Sequence, residues 1–193
     1  MKKFISAGAV ILTLTAGVAL SQDKGGKGRG RGPQAPGLTL TSPDIEDGAV
    51  IPEKFSMRAN GTSPKLEWTH VPAGTESFIL LFHDPDVALN KKLDDVTHWM
   101  VFNIPGTATE LAAGQPVEAK LPDGAIQVKN TRGQPGYMGP GMGPQGPYHH
   151  YTFVLFALDT KLDLGENATR DEVIKAADGH ILGKGILAGR YHQ

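Results

Sequence analysis

Histidine, aspartate and tyrosine side chains lie at the ends of three apolar runs in this sequence, and these residue types can bind ions or transfer protons. They are His83, Asp84, Asp86, His98, His149 and Tyr151. A histidine held beside an aspartate can stay protonated and bind an anion, and a tyrosine hydroxyl adds a hydrogen-bond donor. If the runs are strands whose ends meet at one rim, these side chains predict a pocket for a small anion.

A glycine-rich loop, residues 139–146, precedes His149 and can present main-chain N–H groups to a phosphate or carboxylate. Its segment 141–146 also matches the G-x-G-x-x-G pattern of dinucleotide-binding proteins. That pattern requires a helix directly after the loop, whereas Pro144 and Pro147 lead here into a strand-like apolar run. We therefore predict an anion-binding loop rather than a nucleotide site.

The same cluster has a second interpretation, a zinc site with mixed nitrogen and oxygen ligands. Its candidate ligands are His83, Asp84, Asp86, His98 and His149. No two of them have the tight spacing on one element that makes such a prediction strong, so we predict neither a metal nor another cofactor. The sequence has no cysteine, which excludes disulfides, Cys-based zinc sites and a cysteine nucleophile. It also lacks the common hydrolase and P-loop motifs, so we predict no catalytic residue.

The other histidines have structural interpretations. His83 and His150 alternate with their neighbours along predicted strands, and we expect both to face solvent. His70, His180 and His192 are expected to be ordinary surface residues.

The elements that must position these side chains are short strands. The 25 Gly and 14 Pro residues supply many turns, and between them lie apolar or alternating runs at 38–41, 77–82, 98–104, 125–129, 151–158 and 180–191. One helix is predicted, because Thr169 and Glu172 form a capping box and Asp178-Gly179 ends the pattern. The sequence therefore predicts a mainly β fold, a β-sandwich with a short C-terminal helix.

Residues 1–21 predict a secretory signal peptide. Two lysines precede an apolar run of 17 residues that ends at Leu20, and small residues allow cleavage after Ser21. The alternative is an uncleaved anchor, since this run is close to the minimum length for crossing a bilayer. With no cysteine near the cleavage point, we do not expect a lipid-anchored form.

Residues 22–37 form a basic, glycine-rich segment without aromatic residues, which predicts a disordered linker before a domain at 38–193. Residues 1–32 contain six Lys and Arg and one Asp, which gives this segment a charge of +5. Because the net charge of the whole chain is −1, residues 33–193 carry −6. An acidic domain on an exported chain argues against nucleic-acid binding. We predict a periplasmic or secreted protein with no stable membrane insertion after cleavage.

Three ordered segments, at 60–86, 97–105 and 136–159, resemble the phosphatidylethanolamine-binding protein family, and most of all its bacterial Raf-kinase-inhibitor-like branch. The resemblance covers residues 38–191 and implies a Greek-key antiparallel sandwich with a small anion pocket at one rim. The positions that match the family's pocket motifs are Asp84, Asp86, His98, Gly139, Pro140, Gly141, His149 and Tyr151. The family implies phosphate, acetate or a phospholipid headgroup as ligand.

Three departures from the family pattern concern the pocket. The family often continues Asp-Pro-Asp with Ala-Pro, whereas here Asp86 is followed by Val87 and Ala88. The family loop often reads Gly-Pro-x-Pro-Pro, whereas residues 139–143 read Gly-Pro-Gly-Met-Gly here, with Gly143 in place of the last proline. This difference predicts a more flexible loop. The family's usual His-Arg-Tyr has His150 in place of the arginine, so any contact made by that cation is lost.

These observations predict an exported, non-catalytic binding protein for a small anion or phospholipid headgroup. One alternative is an inhibitor of an exported protease or of another protein partner, as the family name implies. A second alternative is a hydrolase that uses the Asp and His groups at the rim. The absence of an evident activated nucleophile argues against that hydrolase.

Overall fold

The computed structural model describes residues 37–59, 61–141 and 143–192. The predicted signal peptide, nearly all of the predicted linker, and Met142 of the glycine-rich loop lie outside the described residues. The elements within them are β1 (Thr39–Thr41), β2 (Leu66–Thr69), β3 (Ser77–Asp84), β4 (Val96–Pro105), β5 (Glu110–Leu111), β6 (Ile126–Val128), β7 (His149–Leu158), α1 (Arg170–Ala177) and β8 (Ile181–Tyr191), with 3₁₀ turns at Glu53–Phe55, Met57–Ala59 and Leu89–Lys91. Over the same residues, no helix combines the length and apolarity needed to cross a bilayer.

The strands form two sheets that share one apolar core. The smaller sheet has the order β1-β2-β5 and the larger has the order β6-β4-β3-β7-β8, and all paired strands within them are antiparallel. Trp68 of the small sheet contacts Phe78 of the large sheet, with ring centroids 5.3 Å apart, inside a cluster that contains buried residues of both sheets. The predicted mainly β sandwich with one helix is confirmed, while its Greek-key connectivity stays a prediction.

Strand β3 is buried on both faces. Phe78, Leu80 and Phe82 belong to the core between the sheets, whereas Ile79 and Leu81 point to the opposite face and pack in a second cluster with α1. Because period-2 alternation sends neighbours to opposite faces, a strand covered on both sides has to be apolar at every position. This explains the unbroken apolar run that the sequence shows here.

Helix α1 covers the outer face of the large sheet, and it begins where the capping box predicts. The N–H of Thr169 donates to the Glu172 carboxylate at 2.8 Å, and the Thr169 hydroxyl accepts from the Glu172 N–H at 3.3 Å. Val173 and Ala177 are the buried residues of the helix.

Strands β2 and β5 are not among the elements that the sequence predicts.

The register of the large sheet brings three strand ends to one rim. His83 of β3 pairs with Thr152 of β7, and Asp84 of β3 pairs with Val96 of β4. The end of β3 therefore lies between the beginnings of β4 and β7, as the predicted pocket requires. The polar side chains of these three strand ends are close neighbours.

Candidate functional site

A cavity of about 260 Å³ opens at this rim of the large sheet. Its walls consist of Met57, Asp84, Val87, Val96, His98, Thr131, Arg132, Met138, Gly141 and Tyr151. Four of the residues predicted for the pocket, Asp84, His98, Gly141 and Tyr151, thus line one cavity. The other four, Asp86, Gly139, Pro140 and His149, are not part of this wall.

Asp84 is a buried carboxylate, 3% exposed, whose two oxygens both accept hydrogen bonds. Its Oδ1 accepts from the N–H of Asp86 at 3.0 Å, and its Oδ2 lies 2.7 Å from Nδ1 of His149. A buried carboxylate needs such partners, because desolvation without them is costly. Asp86 and His149 therefore hold Asp84 in place from behind the cavity wall.

His98 is also 3% exposed, and its ring orientation is set by main-chain carbonyls. Nδ1 lies 2.9 Å from the carbonyl oxygen of Met138 and 3.1 Å from that of Gly139. Since carbonyls only accept, Nδ1 carries the proton, and Nε2 is the ring nitrogen left for a ligand. Burial lowers the pKa of His98 below 6.5, against the opposing effects of these carbonyls and of Asp84. Burial therefore favours the neutral ring.

Tyr151 closes the inner side of the cavity. Its ring packs edge-on against that of His98, with centroids 5.2 Å apart, and it is 1% exposed. The N–H of Gly141 lies 3.4 Å from the Tyr151 hydroxyl oxygen, a long hydrogen bond that places both donors at the same part of the wall. The phenol and this amide therefore lie together at one side of the cavity.

The segment 138–141 forms the floor through its main chain. A Cβ atom on Gly139 would lie 2.6 Å from the carbonyl carbon of Ser56, so only glycine permits this approach. The carbonyl of Pro140 accepts from the N–H of Met57 at 3.0 Å. Gly139 and Pro140 thus support two wall residues, His98 and Met57, rather than lining the cavity themselves.

The wall contains six residues that the sequence did not indicate. They are Met57, Val87, Val96, Thr131, Arg132 and Met138. Five of them lie outside the regular strands, where no periodicity marks which side chains turn inward. For Arg132 the sequence offers only a turn signal, Asn130-Thr131 before Gly133, which marks a loop but not its place in the fold.

The set proposed for zinc does not come together as a whole. Ligand atoms of Asp84, Asp86 and His149 lie within 4.8 Å of one another. Hydrogen bonds account for this grouping, however, since His149 is bonded to Asp84 and the Oδ2 of Asp86 accepts from the N–H of His150 at 2.6 Å. His83 pairs instead with Asp95.

The expectation that His83 and His150 face solvent is correct for His150 and wrong for His83. The side chain of His150 is 59% exposed beside Asp86. That of His83 is only 17% exposed, and its Nδ1 lies 2.7 Å from Oδ2 of Asp95. The register shifts between Phe82 and His83, and Asp95 also contacts Arg170 of α1, so this side chain is covered.

The comparisons with known proteins agree with the fold. The family model described as phosphatidylethanolamine-binding protein matches residues 41–192. The chain is 38% identical to the UPF0098 protein of Methanothermobacter thermautotrophicus over 81% of this chain and 99% of that one. The solved structure of Escherichia coli YbcL, titled a member of the mammalian PEBP family, superposes with a TM-score of 0.73 at 30% identity, covering 82% of this chain and 99% of that chain.

A Mycobacterium tuberculosis protein with the lipoprotein name LppC is 32% identical over 92% of this chain and 94% of that one. The protein described here belongs to the phosphatidylethanolamine-binding protein family, a family of binding proteins. The resemblance read from its motifs is thereby confirmed.

Proposed function

We propose that this chain is an exported, non-catalytic binding protein whose rim cavity holds a small anion, such as the phosphate of a phospholipid headgroup. The observation that carries the proposal is the buried ring of His98, whose Nδ1 is committed to the carbonyls of Met138 and Gly139. We therefore assign Nε2 as the ring nitrogen that contacts the ligand. The cavity of about 260 Å³ can accommodate a group of phosphate size.

The donor set around His98 fits an acidic oxyanion. The neutral ring can accept a hydrogen bond from the protonated oxygen of inorganic phosphate or of a phosphate monoester. The phosphodiester of a phospholipid has no such proton at neutral pH, so the ring binds it as a donor after taking up a proton. Asp84 favours the protonated ring by its charge. Tyr151 and Gly141 line the same cavity, where a hydroxyl and a main-chain N–H complete the donor set.

The wall offers little for hydrolysis. Thr131 is the aliphatic hydroxyl among the wall residues. Its Oγ1 donates to the carbonyl of Thr97 at 3.2 Å and accepts from the N–H of Thr97 at 2.9 Å. A nucleophile needs an adjacent base to remove its proton, and this hydroxyl is bonded to main-chain groups instead. This supports binding without turnover.

The test is calorimetric titration of phosphate and phosphorylethanolamine into the wild-type protein and His98→Gln. We expect the substitution to weaken binding by about tenfold or more, because it removes a buried hydrogen bond to a charged group. His180→Gln is the matched control, since His180 is paired with Asp159 at the surface, where both side chains are 47% exposed. Equal affinities for wild type and His98→Gln, or no binding by wild type, would contradict the proposal.

Export is supported by the basic start and apolar run within residues 1–21. The lipoprotein name of the mycobacterial relative agrees with it, although this sequence has no cysteine to carry a lipid. We expect the full chain, expressed in a bacterial host, to be released by osmotic shock. Amino-terminal sequencing should then begin at Gln22. A cytoplasmic chain that retains residues 1–21 would contradict export.

A further inference from the structure

A second cavity, of about 380 Å³, adjoins the rim cavity. Three residues line both: Met57, Arg132 and Met138. The remaining wall of the second cavity consists of Gly61, Val117, Asn130, Gln134, Pro135, Tyr137 and Gly139. A ligand whose charged end occupies the rim cavity can therefore extend past Arg132 into a larger space.

The loop that carries Arg132 is anchored to the strand that carries His98. The N–H of Thr131 donates to the carbonyl of Thr97 at 3.0 Å. Buried Asn130 accepts from the N–H of Arg132 at 2.9 Å through its Oδ1 and from the N–H of Gly133 at 2.8 Å through its carbonyl. The main chain at Arg132 is thus held at a defined place at the mouth of the pocket.

The guanidinium of Arg132 is available for a ligand. Within the described residues it takes part in no ion pair and no side-chain hydrogen bond. The positive charge of Arg132 acts on the rim cavity electrostatically, since it is one of the causes that lower the pKa of His98. A guanidinium presents paired N–H donors that match phosphate oxygens.

Charge balance in the rim cavity makes a positive side chain necessary for binding a phosphate anion. The carboxylate of Asp84 is part of the wall, and burial lowers the pKa of His98 and so favours its neutral ring. Among the residues that line this cavity, Arg132 is the one with a permanent positive charge. It also occupies the border between the two cavities, where the ester oxygen of a bound phosphate would lie.

We propose that Arg132 grips the phosphate and selects a phosphate ester whose organic substituent lies in the second cavity. The inference rests on the proposed anion site and specifies its ligand as a monoester or diester rather than inorganic phosphate. The second cavity suits a compact substituent with both polar and apolar atoms, because Asn130 and Gln134 face it together with Val117, Pro135 and Tyr137.

The experiment measures affinities of the wild-type protein and its variants for three probes: inorganic phosphate, phosphorylethanolamine and glycerophosphorylethanolamine. We expect Arg132→Gln to weaken all three by about 10- to 100-fold, as the loss of a charged hydrogen-bond pair predicts. Arg132→Lys should restore part of the affinity by keeping the charge without the fork of donors. Arg58→Gln is the matched control, because Arg58 is exposed, lies next to Met57 and lines neither cavity.

A second variant tests the substituent separately. Gln134→Trp fills the second cavity from an exposed position, so we expect it to remove the preference for esters while phosphate affinity stays unchanged. Tighter binding of the diester identifies a lipid headgroup, and tighter binding of the monoester identifies a free phosphorylated metabolite.

The failures can be told apart. If Arg132→Gln binds like the wild type, or if the wild type binds phosphate and both esters equally, this inference is overturned and the anion site stands. If the wild type binds none of the three probes, the anion site itself is overturned, and this inference with it.

Discussion

Nδ1 of His149 lies 2.7 Å from Oδ2 of Asp84, with both side chains buried at the rim of the large sheet. The pair joins the beginning of β7 to the end of β3. The same carboxylate accepts from the N–H of Asp86, so one aspartate ties together the strand, the turn after it and the neighbouring strand. The cavity wall depends on this pair, although His149 does not line the cavity.

Removing His149 should destabilise the fold, because Asp84 would remain buried beside an empty space. We expect His149→Ala to lower the free energy of unfolding by about 3 kcal/mol, measured by urea denaturation. His150→Ala is the matched control from the next position, where the pair with Asp86 is exposed, and it should lower stability by less than about 1 kcal/mol. Equal losses would contradict a structural role for the buried pair.

Anion binding should strengthen as the pH falls. Burial lowers the pKa of His98 below 6.5. As the pH falls, His98 of the unfolded chain is therefore protonated before His98 of the folded protein. The contribution of His98 to stability is therefore complete above pH 6.5 and decreases below it. A bound anion favours the imidazolium and reverses this effect. We expect the stabilisation by sulfate to increase from about pH 7.5 to about pH 5.5, measured as a shift in Tm.

His98→Gln provides the comparison for that experiment. Sulfate does not change its charge over this range, so a pH dependence must come from the protein. The variant should show a weaker sulfate effect that no longer increases on acidification. A pH dependence identical to that of the wild type would assign the titration to another group.

A methyl group at Gly139 should disrupt the pocket floor. Its Cβ would lie 2.6 Å from the carbonyl carbon of Ser56 and 2.7 Å from the nitrogen of Met57, both main-chain atoms that cannot turn away. We expect Gly139→Ala to reduce stability by about 2–3 kcal/mol, measured by thermal unfolding. Gly143→Ala is the control from the same loop, since its Cβ would meet nothing within 4 Å. A stable Gly139→Ala would show that segment 55–57 can move.

Arg170 should fasten α1 to the large sheet. Burial acts to raise the pKa of Asp95, but hydrogen bonds from Arg170 and His83 outweigh it and hold this pKa below 3.8. The resulting stability is present above pH 3.8 and is lost as the pH falls through the lowered value. We expect Arg170→Ala to cost about 1–2 kcal/mol at pH 7, and much less in strong acid. Lys175→Ala, exposed on the same helix, should have little effect at either pH.

The large sheet could be predicted because its central strands are buried on both faces. The uninterrupted apolar run of β3 leaves few alternatives, and the capping box fixes the start of α1. Strand β2 is four residues long and contains Glu67, and β5 has two residues. Such segments carry too little periodicity to be recognised, and pairing with neighbours rather than local sequence makes them strands.

The sequence predicts which strand ends lie near the cavity, but not which of their neighbours line it. Strand ends are visible in a sequence, so His98 and Tyr151 were found together with Asp84. Whether a neighbour lines the cavity or supports its wall depends on the path of loops distant in sequence. Arg132 shows this limit, because its place comes from hydrogen bonds of Asn130 within the loop and from the bond of Thr131 to Thr97 on a separate strand.

The acceptors that orient His98 are main-chain carbonyls, at Met138 and Gly139, and the contact beneath them is backbone against backbone. The floor therefore needs no particular side chain to orient the ring, except that residue 139 has to be glycine. Surrounding positions are free to diverge and change what is bound while the central imidazole keeps its orientation. This pocket can thus acquire new ligands by substitutions at its border without rebuilding its centre.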